Sequence, residues 1–239
     1  MTLPSRNEIN RCGEYLVSIE RDGWDDEVND WDTYTKAYRV LDDFRAAHQR
    51  PTNKVTLGLR SMVKTATGDM PVVSQRLKRA PRILRKLARL DRSMLVRLED
   101  IGGCRAVLTG PADVELVRRR IEKNWGHEIT RRRDYVDRPN EMGYRALHFT
   151  VTRDERKVEV QVRTRGQQAW ANAIEAADSR LDLTLKDGVG PDSMLQYFSV
   201  LGDYIYEAEY GSLTTELRNR LTAAEDVVIA AGYYSGRAS

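Results

Sequence analysis

Between Lys157 and Thr164 the chain alternates without a break: Val158, Val160 and Val162 are interleaved with Glu159, Gln161 and Arg163. Successive side chains of a strand point to opposite faces, so this pattern predicts a half-buried strand with one apolar and one polar face. Residues 145–152 repeat the period, with Leu147, Phe149 and Val151 against Ala146, His148 and Thr150. The polar stretch Arg153-Asp154-Glu155-Arg156 is a fair turn between the two, so they are expected to form a hairpin. With the apolar faces together, His148, Glu159, Gln161 and Arg163 share the opposite face. A base, a carboxylate, an amide and a cation would then stand together on rigid elements.

Three further segments read as strands: Val72–Lys78, the apolar run at 104–108, and residues 127–135. Pro81 suits the first turn of a helix running to about Leu90, because its missing N–H is not needed there. Asp113 is placed to cap the helix that runs to Asn124. Residues 1–66 read as a polar N-terminal helical region, with Leu16, Val17, Ile19, Tyr34, Ala37, Tyr38, Leu41 and Phe44 at three- and four-residue steps. The turn-rich stretch Ala66–Pro71 opens a core at 67–165, and 166–239 is again helical, broken near Gly188–Pro191. Helix, mixed sheet, helix is the order of an α+β fold, taken as one compact domain.

Absent features narrow the chemistry. No run of about 18 apolar residues occurs, so no membrane span is expected. The start of the chain lacks the basic-then-apolar layout of a signal peptide, which predicts a cytoplasmic protein. Cys12 and Cys104 are too few for a disulfide framework, and His48, His127 and His148 have no metal spacing. GxxxxGKS/T, GxGxxG and GxSxG are missing, which argues against a P-loop enzyme, a dinucleotide binder and an α/β-hydrolase.

Charge carries a positive signal. The whole chain is only +3, but residues 76–105 hold ten basic and three acidic side chains. Arginines outnumber lysines 31 to 8, and a planar guanidinium suits bidentate pairing with phosphate. Arg76 and Lys78 fall two apart on a strand, and Arg82, Lys86 and Arg89 follow at helical steps of four and three, so each set shares a face. This reads as a polyphosphate cradle. Asp100 precedes Gly102-Gly103 and a buried strand, where a carboxylate could hold Mg²⁺ together with substrate phosphates. Glycines there permit tight packing or positive φ. Arg131-Arg132-Arg133-Asp134-Tyr135, followed by Asn140-x-x-Gly143-Tyr144-Arg145, sets arginines beside an aromatic ring that could stack on a base.

Jointly these segments resemble the synthetase domain of the RelA/SpoT family, over about residues 70–185. The family pattern R-x-K-x-x-x-S-I-x-x-K reads here from Arg76 to Lys86, with Arg82 in place of the serine. D-I-A/G-G-x-R reads as Asp100–Arg105. R/K-D-Y and P-x-x-G-Y-x-x-x-H read as Arg133–Tyr135 and Pro139–His148, with one extra residue before Gly143. V-E-I/V-Q-I/V-R-T reads as Val158–Thr164.

The resemblance implies a central mixed five-stranded sheet of the nucleotidyltransferase-like type, and transfer of pyrophosphate from ATP to a ribose 3′-hydroxyl. It implies that Arg76 and Arg105 sandwich the adenine, and that Lys78, Arg82 and Lys86 serve the ATP phosphates. Asp100 and Glu159 would hold Mg²⁺, with Glu159 activating the hydroxyl. Tyr144 would stack on the acceptor base, with His148, Arg131, Arg133, Gln161 and Arg163 on the acceptor side. No His-Asp pair occurs, so hydrolysis of the product is not expected.

Asn140 falls where many alarmone makers place a lysine for acceptor phosphates. The stretch Gln168–Glu175 and Leu185–Gly188 is similar to the toxic small alarmone synthetases, which implies a neutralising antitoxin as partner. On these grounds the 3′-CCA end of tRNA stands slightly ahead of GDP or GTP as acceptor, with adenosine nucleotides a further alternative. Arg118–Arg120 and Arg131–Arg133 would suit tRNA. A reading from another class is a catalytically silent RNA-binding module. A nucleotidyltransferase using Asp113 and Glu115 is disfavoured, because the Gly-Ser that should precede such an acidic pair is missing.

Overall fold

The computed structural model describes residues 4–90 and 94–234. Asp91 and Arg92, two members of the charged stretch 76–105, lie outside the described residues, as does the end of the C-terminal region, 235–239.

Three helices come first: α1 (Arg6–Asp22), α2 (Trp31–Ala46) and α3 (Gln49–Thr67). The side-chain oxygens of Ser5 and Asp30 accept from backbone N–H groups in the first turns of α1 and α2. Gly68 ends α3 at φ 78°, where a side chain would be strained. Strand β1 (Val72–Leu77) leads to α4 (Ala80–Arg89), and β2 (Gly102–Leu108) to α5 (Pro111–Trp125). Then come β3 (Ile129–Asp134), β4 (Leu147–Arg153), β5 (Arg156–Thr164), α6 (Arg165–Leu181), α7 (Asp192–Tyr210) and α8 (Thr215–Ala230).

The expected hairpin is β4–β5. It is antiparallel, with His148 opposite Gln161, Thr150 opposite Glu159, and Leu147, Phe149 and Val151 opposite Val162, Val160 and Val158. Its turn is two residues long, and Asp154 and Glu155 both take positive φ, the handedness that matches strand twist. The sheet order is β1-β2-β5-β4-β3, with β2 parallel to β5 and every other pair antiparallel. The five-stranded mixed sheet of an α+β fold is therefore present.

Two sequence expectations shift. β1 ends at Leu77 rather than Lys78, although the Lys78 N–H still donates to Ile101 O at 2.8 Å. Asp113 lies inside the first turn of α5 and does not cap it, because Gly110 holds the cap position and Pro111 starts the helix.

The apolar sheet face packs on α3 and α5. Val160, Val162, Phe149 and Cys104 meet Val55, Leu59, Val117 and Ile121, all buried. A second core joins α1, α2 and α4 through Leu16, Leu41, Phe44, Ile83 and Leu87. A third joins α6, α7 and α8 through Trp170, Ile174, Phe198 and Val228. Side chains alternate across a strand, so with one face buried, the charged and amide residues of β1, β2, β3, β4 and β5 emerge together on the other. No helix among the described residues is long and apolar enough to cross a membrane.

Candidate active site

The register places Ser74 beside Arg105, Arg76 beside Gly103, Gly103 beside Glu159, and Arg105 beside Gln161. It also sets Arg133 beside His148 and Arg131 beside Thr150. Thus Arg76, Arg105, Glu159, Gln161, His148, Arg131 and Arg133 occupy one polar face. A pocket opens there, lined by Arg76, Gly103, Arg105, Glu159 and Gln161 among others. Gly103 contributes no side chain, so the floor between Arg76 and Glu159 is left free.

Asp100 stands at the entry to β2. Its Oδ2 accepts from Lys78 Nζ and from Lys86 Nζ, the latter at 2.7 Å. Burial raises its pKa, but the two lysines outweigh burial and the net shift is downward. Burial likewise depresses Lys78, against the pull of Asp100. The other carboxylate oxygen, Oδ1, is buried without a hydrogen-bond partner among the described residues. A buried carboxylate oxygen of this kind is suited to meet a cation or a donor.

Glu159 anchors a closed circuit of hydrogen bonds. His148 Nδ1 lies 2.9 Å from Glu159 Oε1, and His148 Nε2 lies 2.6 Å from the Tyr144 hydroxyl. Arg163 donates to that hydroxyl and to Gln161 Oε1 at 2.9 Å, and Gln161 Nε2 donates to Glu159 Oε2 at 2.7 Å. Burial pushes the Glu159 pKa up, and so does Asp100, but His148 and Gln161 carry it below the usual carboxylate range. Asp100 is thus near enough to act on Glu159. Burial pushes the Tyr144 hydroxyl up to about 12.

Tyr144 is more enclosed than a free stacking platform. The Arg163 guanidinium lies 5.0 Å from its ring centre, and Tyr135, His148 and Trp170 meet it edge-on. Gly143, at φ 76°, delivers it by passing against the backbone of Gly202 in α7, an approach that a side chain would block. Asn140 shapes the same loop: its Oδ1 accepts from the N–H groups of Met142 and Tyr144 at 3.1 and 2.9 Å.

The arginines are unevenly engaged. Arg105 reaches Gln161 and Gln168, at 3.2 and 3.1 Å, and its pKa falls through burial and through the charges of Arg163 and Arg76. Arg163 is only 3% exposed. Among the described residues none of Arg76, Arg82, Arg105 and Arg163 has a carboxylate within 4.0 Å. This side of the face is a cationic groove whose arginines make no direct ion pair among the described residues. Arg82 is exposed one turn before Lys86 on α4, while Arg89 is taken up by an ion pair with Asp187.

Arg118–Arg120 is not part of this face. It rides on α5, which packs on the opposite side of the sheet, and Arg118 is held by Glu115 and Glu122. Arg132 also points away, paired with Glu122. Asp113 and Glu115 sit on α5 too, far from the cradle that a nucleotidyltransferase reading would need.

Sequence reasoning left four neighbours unnamed as site residues. Gln168 bridges Arg105 and Arg163 from the first turn of α6. Glu175, also on α6, is shifted down by Lys186, Arg105 and Arg76 against its burial. Glu99 and Lys157 pair at 3.2 Å beside Arg131 and Arg133. The available signal for Glu99 was its rarity as an acid within a basic stretch.

Residues 75–180 match the family model described as the region found in RelA / SpoT proteins. That stretch of the chain is thus similar to the RelA/SpoT region. Every expected site residue, from Arg76 to Arg163, falls inside it, together with Glu99, Gln168 and Glu175. No curated protein sequence matches the chain. Among solved structures, the chain is similar in fold to a GTP pyrophosphokinase family protein from Streptococcus pneumoniae, with a TM-score of 0.56 and 20% identity, covering 82% of this chain and 98% of that one. It is also similar to small alarmone synthetase 1 from Bacillus subtilis bound to its product pppGpp, with a TM-score of 0.56 and 16% identity over 81% and 99% of the two chains. Small alarmone synthetase 2 from the same organism gives 0.55 and 18% over 81% and 98%. At these identities the likeness is one of fold, and it covers more of the chain than residues 75–180.

Proposed function

We propose that this RelA/SpoT-type pyrophosphokinase transfers the β,γ-diphosphate of ATP to a ribose 3′-hydroxyl, with the 3′-CCA end of tRNA as acceptor ahead of GDP or GTP. One observation carries the reading: two carboxylates, Glu159 on the polar sheet face and Asp100 at the entry to β2, act on each other beside a groove of arginines that make no direct ion pair among the described residues.

Glu159 stays ionised at neutral pH and can accept the hydroxyl proton, as a positioned carboxylate does in general-base catalysis. The ribose O3′ forms a bond to the β-phosphorus, the bond from that phosphorus to the bridging α,β-oxygen breaks, and AMP leaves. His148 and Gln161 hold the Glu159 carboxylate in place during the transfer. Lys78 and Lys86 border the phosphate path from the Asp100 side, with Arg82 at its outer edge. Arg76 and Arg105, on neighbouring strands, flank the pocket that would take the adenine. Positive groups fixed before the reaction stabilise charge developing on phosphoryl oxygens without reorganisation.

A magnesium ion fits the donor set. Asp100 Oδ1 is buried and unpartnered, and Mg²⁺ takes one or two carboxylates and fills its remaining positions with water and phosphate. Asp100 and Glu159 would hold it, and it would supply neutralisation of phosphate charge.

The acceptor preference rests on shape and charge. Arg131 and Arg133 lie on β3, the edge strand, and Arg131 is exposed, so this end of the face is open to a large ligand. The Asn140 side chain is spent on its own turn and brings no cation. Incubation with γ-labelled ATP and either tRNA or GDP separates the acceptors, and the expected result is label in tRNA. Label in neither would defeat the enzymatic reading, and RNA binding without turnover would favour a silent binding module. Glu159→Gln should cut transfer by about 10²–10⁴-fold with folding intact. In cells, the wild-type chain should arrest growth and that variant should not, which also provides the assay for a neutralising antitoxin.

A further inference from the structure

The cations on the acceptor side of the site are not free. Arg131, Arg133 and Lys157 converge on one carboxylate, Glu99, whose Oε2 lies 3.4 Å from Arg131 Nη1 and 3.7 Å from Arg133 Nη2. Its Oε1 lies 3.2 Å from Lys157 Nζ, and the Thr150 hydroxyl donates to Oε2 at 3.4 Å. Thr150 is the cross-strand partner of Glu159, and Arg133 that of His148, so Glu99 sits over the site face itself. The contrast with the donor side is sharp, since Arg76, Arg105 and Arg163 have no carboxylate within 4.0 Å among the described residues. One carboxylate is thus gathered by three cations, two of which the reading above assigns to the acceptor.

We infer that Glu99 determines acceptor choice: it lowers the positive charge available to the acceptor, penalising a compact 5′-di- or triphosphate more than an RNA end. The inference rests on the pyrophosphokinase reading above. A nucleoside 5′-diphosphate brings about three negative charges to one spot, whereas an RNA strand spreads one charge per phosphodiester along its length. Repulsion from Glu99 therefore grows with the charge density of the acceptor. Arg131, Arg133 and Lys157 less the Glu99 carboxylate leave a charge of +2 on this patch, enough to guide a strand and too little to hold a polyphosphate tightly.

The test compares wild type with Glu99→Gln by calorimetric binding of GDP and of guanosine, alongside label transfer to tRNA. The variant is expected to bind GDP about tenfold more tightly, a modest share of what removing one nearby charge can do. Guanosine binding should stay unchanged, and tRNA labelling should stay within about threefold. Equal GDP affinity in the two proteins would overturn the inference, as would an equal gain for guanosine. A fall in melting temperature with unchanged GDP affinity would make Glu99 a purely structural ion-pair hub, which also overturns it. Should Glu99→Gln fail to fold, Glu99→Asp draws the charge back by one methylene and must shift GDP affinity in the same direction. Failure of wild type to label any acceptor would defeat the pyrophosphokinase reading, while the binding comparison would still decide the role of Glu99.

Discussion

At the scale of single residues, the site is held by reciprocity rather than by any one strong bond. The Arg163, Tyr144, His148, Glu159 and Gln161 side chains close a circuit, and each is placed by two others. Donor order follows from the chemistry: arginine can only donate and carboxylate only accept, so the Tyr144 hydroxyl passes its proton toward His148 and Nδ1–H points at Glu159. Tyr144→Phe removes two of its hydrogen bonds and leaves a buried guanidinium and an imidazole nitrogen each short of a partner. We expect a loss of about 1–3 kcal/mol in urea unfolding, the range for orphaned buried groups, and a fall in kcat as Glu159 loses its support. An unchanged unfolding midpoint would show the circuit to be slack. The members of this circuit were legible in the sequence, because period-two alternation assigns faces. Its closure was not, since Tyr144 reaches it only through the loop that Gly143 turns. Gln168 and Glu99 were likewise hidden: they come from a helix start and a strand entry, where no periodicity says which way a side chain points.

At the scale of elements, the pair Gly102-Gly103 shows how one motif serves two purposes. From the sequence either tight packing or positive φ could explain it, and the structure selects packing, since neither glycine has positive φ. A Cβ on Gly102 would stand 2.1 Å from Thr52 Oγ1, a buried hydroxyl that is itself tied to His48 O at 2.7 Å. Gly102→Ala must therefore drive the Thr52 hydroxyl off His48 O or push α3 away from β2, and a loss of about 1–3 kcal/mol is expected, as for overpacked cores. A Cβ on Gly103 meets only Glu159 backbone at 3.4 Å and its Cβ at 3.7 Å, which is ordinary contact. Gly103→Ala should fold with wild-type stability and raise the KM for ATP, because the methyl group enters the pocket between Arg76 and Glu159. Thermal melts and steady-state kinetics on the two variants read the two purposes separately; similar melting losses in both would contradict this assignment. The strands and the hairpin were readable from alternation and turn chemistry, their limits only to within about two residues. The cap of α5 was not, because Pro111 is acceptable as the first helical residue, which puts the cap at Gly110, three positions before Asp113.

At the scale of the whole molecule, His48 couples the helical N-terminal part to the sheet. It is 2% exposed, its Nδ1 lies 2.8 Å from Phe44 O, its ring meets Phe44 edge-on, and its Cβ is 3.4 Å from the position a Gly102 Cβ would take. Burial, with a smaller push from Arg156, lowers its pKa from 6.5 to about 4. An unfolded chain takes up a proton at His48 near pH 6.5, and the folded chain resists until about pH 4. The stability contributed by the neutral imidazole is therefore complete above 6.5 and drains away as pH falls toward 4, by about 3 kcal/mol in all. That is a large share of the 5–15 kcal/mol typical of folded domains. Asp100 and Glu159, both shifted downward, lose their contributions only when pH falls below the ordinary carboxylate range, so the two windows barely overlap. Urea midpoints at pH 7, 5.5 and 4.5 should show wild type weakening across this span and His48→Gln weakening by about 2 kcal/mol less, since glutamine has no proton to gain. Parallel pH profiles for the two proteins would remove His48 from the account and leave the junction between α3 and β2 to packing alone.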